Sequence, residues 1–208
     1  MEIKFESPDE VLKTAEATME GIPSVELFSK PQYQKLRERW CAGMFGKGYS
    51  RYVRTCEVGI NETTNDLHAD FFLKEQSSLW PFQIVEVQDS GRKRGDEYKG
   101  FADGSIKTIQ YSPEKGHVEG PEWLKNGIVK KVNKNYAGSE NLNLLVYANF
   151  TARQLDYSRL ESALEGFKNN FSSIWIITGT HLCSVHSGQE LGEVKGWGEV
   201  RNFSDYYA

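Results

Sequence analysis

Two carboxylates stand inside apolar segments near the middle of this sequence: Asp70 in Ala-Asp-Phe-Phe-Leu and Glu86 in Ile-Val-Glu-Val-Gln. Each is expected to lie in a strand, where burying an unpaired charge is costly. On adjacent antiparallel strands the two would face each other at about 5 Å and repel unless a cation lay between them. Mg²⁺ binds hard oxygen ligands of this kind. The pattern predicts an Mg²⁺ site, or Mn²⁺ in its place, at Asp70 and Glu86; the alternative is that both carboxylates are solvated at a sheet edge.

Capping residues and hydrophobic spacing predict the elements that position these carboxylates. Ser7, Pro8 and Glu10 have the pattern of an N-terminal capping box, and Ser29 with Pro31 repeats it. Apolar segments with short polar connections predict three strands of an antiparallel meander. After the second helix the predicted elements are strands 51–60, 67–73 and 81–88, helix 121–136, strand 141–150, a helix capped by Asp156, and strand 174–178, which is apolar on both faces.

This order of elements predicts an α/β fold with a central mixed sheet flanked by helices on both faces. A length of 208 residues is typical of one domain. We therefore expect a single α/β domain over 1–208, with N-terminal helices in 7–45, a core in about 30–180 and a C-terminal extension in 181–208.

Asp70, followed by Glu86-Val87-Gln88 on the next predicted strand, resembles the motif of the PD-(D/E)XK nuclease superfamily, whose fold is restriction-endonuclease-like. The core of that family is a helix, three strands, a helix and a strand, which corresponds to 30–148 of this sequence. The resemblance implies that Asp70, Glu86 and the carbonyl of Val87 bind Mg²⁺, and that Glu38 extends the metal site. The metal would activate a water for phosphodiester hydrolysis, with DNA as the expected substrate.

The sequence departs from the family motif at two positions. Ala69 precedes Asp70 where the family often has proline, and Gln88 stands at the lysine position. Gln88 can orient a water but does not offset negative charge, so a lysine from elsewhere is expected to replace the missing one. Lys131 on the following helix is the preferred candidate, and Lys74 is the other. The catalytic residues that the resemblance implies are Asp70, Glu86, Gln88 and Lys131.

The formal net charge of −4 argues against a nucleic-acid partner, since such proteins usually display a basic surface. A local basic segment at 91–95 is either a contact for phosphate groups or a solvated loop. Three hypotheses stay open: an Mg²⁺-dependent nuclease, endo- or exonucleolytic; a catalytically decayed protein of the same fold that binds nucleic acid or a partner protein; and a purely structural or inhibitory interaction protein.

The sequence also bears on the location of the protein. Its three cysteines are too few for a disulfide framework, and its first residues lack the regions of a signal peptide. No apolar run approaches the roughly 20 residues of a membrane helix. We expect a cytoplasmic protein with no membrane partner, and the oligomeric state stays open, with a dimer as one option.

Overall fold

The computed structural model describes residues 3–62, 69–89, 97–100, 113–134, 139–150, 155–188 and 190–202. The capping box predicted at Ser7 is confirmed: the Ser7 hydroxyl accepts from the Glu10 N–H at 3.3 Å, and the Glu10 carboxylate accepts from the Ser7 N–H at 3.1 Å. The cap at Asp156 is also confirmed, because its carboxylate accepts from the Ser158 N–H at 2.8 Å. The helices are α1 (Pro8–Glu20), α2 (Ser24–Ser29), α3 (Gln34–Tyr52), α4 (Pro113–Val132) and α5 (Tyr157–Leu164), with 3₁₀ turns at Pro31–Tyr33, Ser139–Asn141 and Glu165–Phe167.

Within the described residues, eight strands form one mixed sheet whose spatial order follows the chain. The predicted α/β class and the antiparallel meander of the second to fourth strands are confirmed. The fourth, fifth and sixth strands are parallel, and the other neighbours are antiparallel. The strands are β1 (Phe5–Glu6), β2 (Glu57–Ile60), β3 (Phe71–Glu75), β4 (Ser78–Val87), β5 (Asn143–Ala148), β6 (Ser173–Ile177), β7 (His181–Ser187) and β8 (Gly198–Glu199).

Helices cover both faces of this sheet, as predicted. In β6, Trp175 and Ile177 pack in the cluster that includes residues of α1 and α3, whereas Ile174 and Ile176 pack with residues of α4 and α5. All four side chains are fully buried. Strands that are buried on both faces read as continuous apolar runs, which is why the strand at 174–178 could be recognised from the sequence.

Helix α3 is longer than predicted, and it takes up the beginning of the segment 51–60 that was expected to be a strand. The helix continues to Tyr52, and β2 begins only at Glu57. Gly46 lies inside α3, where a Cβ atom would come within 2.6 Å of Val58 Cγ2. Close packing of the helix on the sheet therefore requires glycine, a residue that ordinarily weakens helices.

Other boundaries also differ from the sequence prediction. Ser29 is the last residue of α2 and caps no helix. Helix α4 begins at Pro113 rather than 121, so that Pro121 lies inside it. The stretch 181–208 contributes β7 and β8 to the sheet. The basic segment 91–95 lies outside the described residues, as do 67–68 of the predicted strand 67–73.

Among the helices in the described ranges, none combines the length and the apolar character needed to cross a membrane.

Candidate functional site

Asp70 lies immediately before β3, and its carboxylate binds the backbone of the neighbouring strand. The Ile84 N–H donates to Asp70 Oδ2 at 2.7 Å. Because Phe71 is paired with Phe82, the next position on β4 beside Asp70 is Gln83, and Glu86 lies three residues farther, about 10 Å along the strand. Asp70 and Glu86 are therefore not the directly opposed pair that the sequence predicted.

Two other predicted site residues, Glu38 and Lys131, do lie close enough to Asp70 to affect its pKa. Burial raises the pKa of Asp70, and the charge of Glu38 on α3 raises it further, while the Ile84 N–H and Lys131 on α4 oppose this. Burial lowers the pKa of Lys131, and the charge of Asp70 opposes that change. Lys131 Nζ donates to Gln83 Oε1 at 3.0 Å. Glu38, Asp70 and Lys131 thus form one electrostatically coupled cluster.

Glu38 is the most enclosed member of this cluster, with 8% of its surface exposed. Its Oε1 accepts from Gln34 Nε2 at 2.8 Å. Its Oε2 lies 2.9 Å from Lys35 Nζ, although the two groups are not aligned for a hydrogen bond. The short distance still makes this an ion pair, so the charge of Glu38 is partly compensated within α3.

Glu86, Val87 and Gln88 form a separate group at the carboxyl end of β4. Glu86 Oε1 accepts from Gln88 Nε2 at 2.9 Å and from Asn149 Nδ2 at 2.6 Å. The Val87 carbonyl accepts from the Asn149 N–H at 2.8 Å. These bonds join the ends of β4 and β5, and they leave Glu86 exposed to solvent.

A cleft of about 750 Å³ lies between the three N-terminal helices and the carboxyl ends of the parallel strands. Its volume is in the range of small-molecule sites, roughly 300–1,000 Å³, and the carboxyl ends of parallel strands are where open α/β sheets bind ligands. The lining residues are Glu16, Met19, Glu20, Phe28, Gln34, Arg37, Glu38, Trp40, Cys41, Ile84, Glu86, Tyr147, Gly179 and Arg201.

Two aromatic residues connect the walls of the cleft. The rings of Trp40 on α3 and Tyr147 on β5 meet edge to face at 5.5 Å. Trp40 Nε1 also donates to Glu16 Oε1 on α1 at 3.2 Å. The indole therefore links helix α1 to the sheet and presents an aromatic surface to anything that occupies the cleft.

Among the described residues that line the cleft, four are glutamates and two are arginines, so this part of the lining is negatively charged. Arg201 binds both carboxylate oxygens of Glu16, at 2.5 and 3.0 Å. Burial works to raise the pKa of Glu16, but the bonds from Arg201 and Trp40 outweigh it and lower the pKa. Arg37 donates to the Leu27 carbonyl. Both arginines are thus engaged within the protein.

Two of the cleft carboxylates, Glu20 and Glu86, have no cationic partner among the residues that the structure describes. Both are exposed to solvent.

In the described ranges, no three His, Cys, Asp or Glu side chains are grouped so that they could hold a metal ion. Glu38 and Asp70 approach each other, but Glu86 belongs to the separate group on β4. The binding of Mg²⁺ by these residues stays a prediction.

Comparisons with known proteins give little similarity. No family model matches the sequence, and no curated protein matches it. The chain is similar to a solved structure described as a protein of unknown function from Pseudomonas aeruginosa strain PAO1, of the monooxygenase superfamily. The match covers 88% of this chain and 84% of that chain, with 14% sequence identity and a TM-score of 0.45. Similarity this low transfers no activity to this chain.

The resemblance to PD-(D/E)XK nucleases is contradicted, because no family model and no curated protein supports it and the structure places the two motif carboxylates in separate groups. The predicted activity as a DNA-cleaving hydrolase is therefore wrong, and the decayed nuclease scaffold falls with the family. The α/β class stands, but a restriction-endonuclease-like core is not confirmed. The physical reason is visible in the motif, since Asp70 binds the Ile84 backbone whereas Glu86 binds the amides of Gln88 and Asn149.

Sequence reasoning missed most of the cleft. Glu16, Glu20, Trp40, Tyr147 and Arg201 come from four separate parts of the chain, and no spacing rule connects them. Two signals were present in the sequence. The first is that Glu16 and Glu20 are four residues apart and therefore lie on one face of α1. Tyr147 near the end of an apolar parallel strand was another, since strand ends form ligand crevices.

Proposed function

We propose that this protein binds a small organic cation with an apolar or aromatic body in the cleft between its N-terminal helices and β4 and β5. The observation that carries the proposal is that aromatic side chains share the cleft with two carboxylates that have no cationic partner among the described residues. Trp40 and Tyr147 supply the aromatic surface, and Glu20 and Glu86 supply the negative charge. Cations are attracted both to carboxylates and to the faces of aromatic rings.

The two kinds of contact have different roles. Burial of an apolar body against Trp40, Tyr147 and Ile84 provides the non-directional part of the affinity, at about 25 cal/mol per Å². The carboxylates then select the sign of the ligand's charge, because an anion in the same place would be repelled. This charge does not favour a nucleic-acid phosphate backbone in the cleft, so a nucleic-acid partner stays a sequence-based prediction that the cleft does not support.

Isothermal titration calorimetry with two ligands of the same ring and opposite charge tests the proposal. We expect phenethylamine to bind at least about tenfold more tightly than phenylacetate, a difference of roughly 1.4 kcal/mol. The variant Glu86→Gln keeps an oxygen acceptor for Gln88 and Asn149 but removes the charge. It should weaken phenethylamine binding by about fivefold, the upper range for one accessible charge pair.

Glu193→Gln is the matched control, because it makes the same change in net charge outside the cleft, where Glu193 pairs with Lys195 at 3.2 Å. Its affinity for phenethylamine should equal that of the wild type. The proposal fails if phenylacetate binds as tightly as the amine, or if the control variant loses as much affinity as Glu86→Gln.

A second candidate occupant is Mg²⁺ at Glu38 and Asp70. The observation that favours it is the low exposure of both carboxylates, with Glu38 8% exposed and Asp70 half-buried, since two carboxylates that repel each other are stabilised by a cation. Mg²⁺ commonly binds one or two carboxylates and keeps several waters. The positive charges of Lys35 and Lys131 beside the same carboxylates would make such a site weak.

A further inference from the structure

A second hollow adjoins the cleft on the surface of α1. This groove has a volume of about 260 Å³ and shares Glu16, Glu20 and Arg201 with the cleft. Glu16 and Arg201 already bind each other. Glu20 is therefore the carboxylate that lines both hollows and has no cationic partner among the described residues.

The position of Glu20 on α1 is unfavourable for the helix itself. It is the last helical residue, and the last turn contains no basic side chain. The carbonyl end of a helix carries partial negative charge, which favours lysine or arginine there and disfavours glutamate. A carboxylate and a helix carbonyl end at one place together attract a positive group from outside.

Glu86 is the other cleft carboxylate without a cationic partner among the described residues, and it lies on a different wall, at the sheet. The edge-to-face pair of Trp40 and Tyr147 stands between the α1 wall and the sheet, because Trp40 contacts Glu16 on one side and Tyr147 on the other. Helix α1 therefore supplies Glu20, the sheet supplies Glu86, and the aromatic pair contacts both of these walls.

We infer that the ligand is an elongated dication, with one cationic end at Glu86, an apolar middle on Trp40 and Tyr147, and a second cationic end at Glu20, where the cleft opens into the α1 groove. This inference rests on the proposed cation-binding function and narrows it to a class of molecules, the diamines and polyamines. A monoamine leaves one of the two carboxylates without a partner, whereas a diamine of matching length compensates both.

Calorimetric titration with straight-chain amines tests the inference. The probes are the diamines of butane, hexane and octane, each compared with the monoamine of the same chain length. We expect one diamine length to bind about fivefold more tightly than its monoamine, as an added accessible charge pair provides. Glu20→Gln should remove that advantage, so that each diamine then binds no more tightly than the monoamine of the same chain length.

Glu20→Gln is expected to fold normally, since glutamine and glutamate have similar helix propensity and Glu20 is exposed; its melting temperature checks this. Glu193→Gln again controls for net charge and should keep the full advantage of the diamine. Loss of the advantage in Glu20→Gln alone supports the inference.

Three results would overturn the inference while cation binding stands: no diamine exceeds its monoamine, the advantage persists in Glu20→Gln, or it is lost equally in Glu193→Gln. If neither the monoamines nor phenethylamine bind, the proposed function itself fails, and the inference fails with it.

Discussion

The two ends of strand β3 carry acidic residues in opposite environments. At its C-terminal end Glu75, 9% exposed, accepts a hydrogen bond from the Tyr49 hydroxyl and pairs with Arg54 Nε at 2.8 Å. Just before its N-terminal end Asp70 faces the like charge of Glu38, and its pKa is raised. One carboxylate has a guanidinium partner that stabilises it, whereas the other stands near a second carboxylate at the border of the cleft.

The contrast shows where this chain uses charge for stability and where it accepts an electrostatic cost. The Glu75 group joins α3, β3 and the segment after β7, because the Tyr49 hydroxyl also lies 2.7 Å from the Leu191 carbonyl. The Asp70 group joins the sheet to α3 and α4, but with two carboxylates in it. Unfavourable charge retained beside a cleft is typical of functional sites.

The largest expected effect is at the stabilising end. Glu75→Ala removes one of the two acceptors near the Tyr49 hydroxyl and leaves Arg54 without its carboxylate, so we expect the free energy of unfolding to fall by about 2–3 kcal/mol. The loss should stay below that of a fully buried ion pair, about 3–5 kcal/mol, because half of the Arg54 side chain is exposed. Urea unfolding measures it.

Glu57→Ala is the matched control, since Glu57 pairs with Lys74 at 2.8 Å on the same sheet, with both side chains well exposed. In Glu57→Ala the free energy of unfolding should fall by less than about 0.5 kcal/mol. Equal losses in the two variants would mean that the Glu75 group contributes no more than a surface pair.

Much of this fold was predictable from the sequence, because local signals agreed with the final packing. The Ser7 capping box and the two-sided apolar strand near Trp175 are examples. The end of α3 was not predictable, because Gly46 and Gly48 suggest a break and are required only by contacts with residues distant in sequence, such as Val58 and Leu182. A single domain stays a prediction.

The candidate site was predictable only in part. Asp70 was recognised as a charge inside an apolar segment, whereas Glu38 and Lys131 were named only through the resemblance to the nuclease family; the three charges do interact. Their expected partner Glu86 was placed by assuming a register that the chain does not adopt, since β3 begins at Phe71 opposite Phe82. Strand alternation gives the face of a side chain but not its neighbour across the ladder.

An intermediate effect is expected at the other end of β3. Asp70→Asn keeps an oxygen acceptor for the Ile84 N–H and removes the buried charge, so it should melt no lower than the wild type at pH 7. Asp70→Ala also removes the acceptor and should be less stable than Asp70→Asn by about 1 kcal/mol. Equal stability of the two variants would show that the bond to Ile84 contributes nothing.

The pH dependence of stability tests the Asp70 end separately. Because the pKa of Asp70 is raised in the folded protein, its contribution to stability is fully present below the ordinary aspartate pKa of about 3.9 and is lost as the pH rises through the folded-state value. The free energy of unfolding, measured with urea from pH 4 to pH 7, should therefore fall less with rising pH in Asp70→Asn than in the wild type. An unchanged profile would contradict the raised pKa.

The smallest expected effect is that of Mg²⁺ on the Asp70 end. Lys35 and Lys131 already compensate part of the charge of Glu38 and Asp70, so a metal ion would gain little there. At a concentration equal to its Kd, Mg²⁺ would raise the free energy of unfolding by about 0.4 kcal/mol. The measurement is the melting temperature in EDTA and in millimolar Mg²⁺, for the wild type, Asp70→Asn and the exposed control Glu57→Ala.

A small rise in the wild type and in Glu57→Ala, absent from Asp70→Asn, would support Mg²⁺ at Asp70. The same rise in all three proteins would mean that the ion acts through general screening of a chain with net charge −4. A rise corresponding to more than about 2.7 kcal/mol in the wild type, which requires a concentration a hundred times the Kd, would mean that Mg²⁺ outcompetes both lysines. In that case the comparison between the two ends of β3 would need revision, because Asp70 would then have a strong partner of its own, as Glu75 has in Arg54.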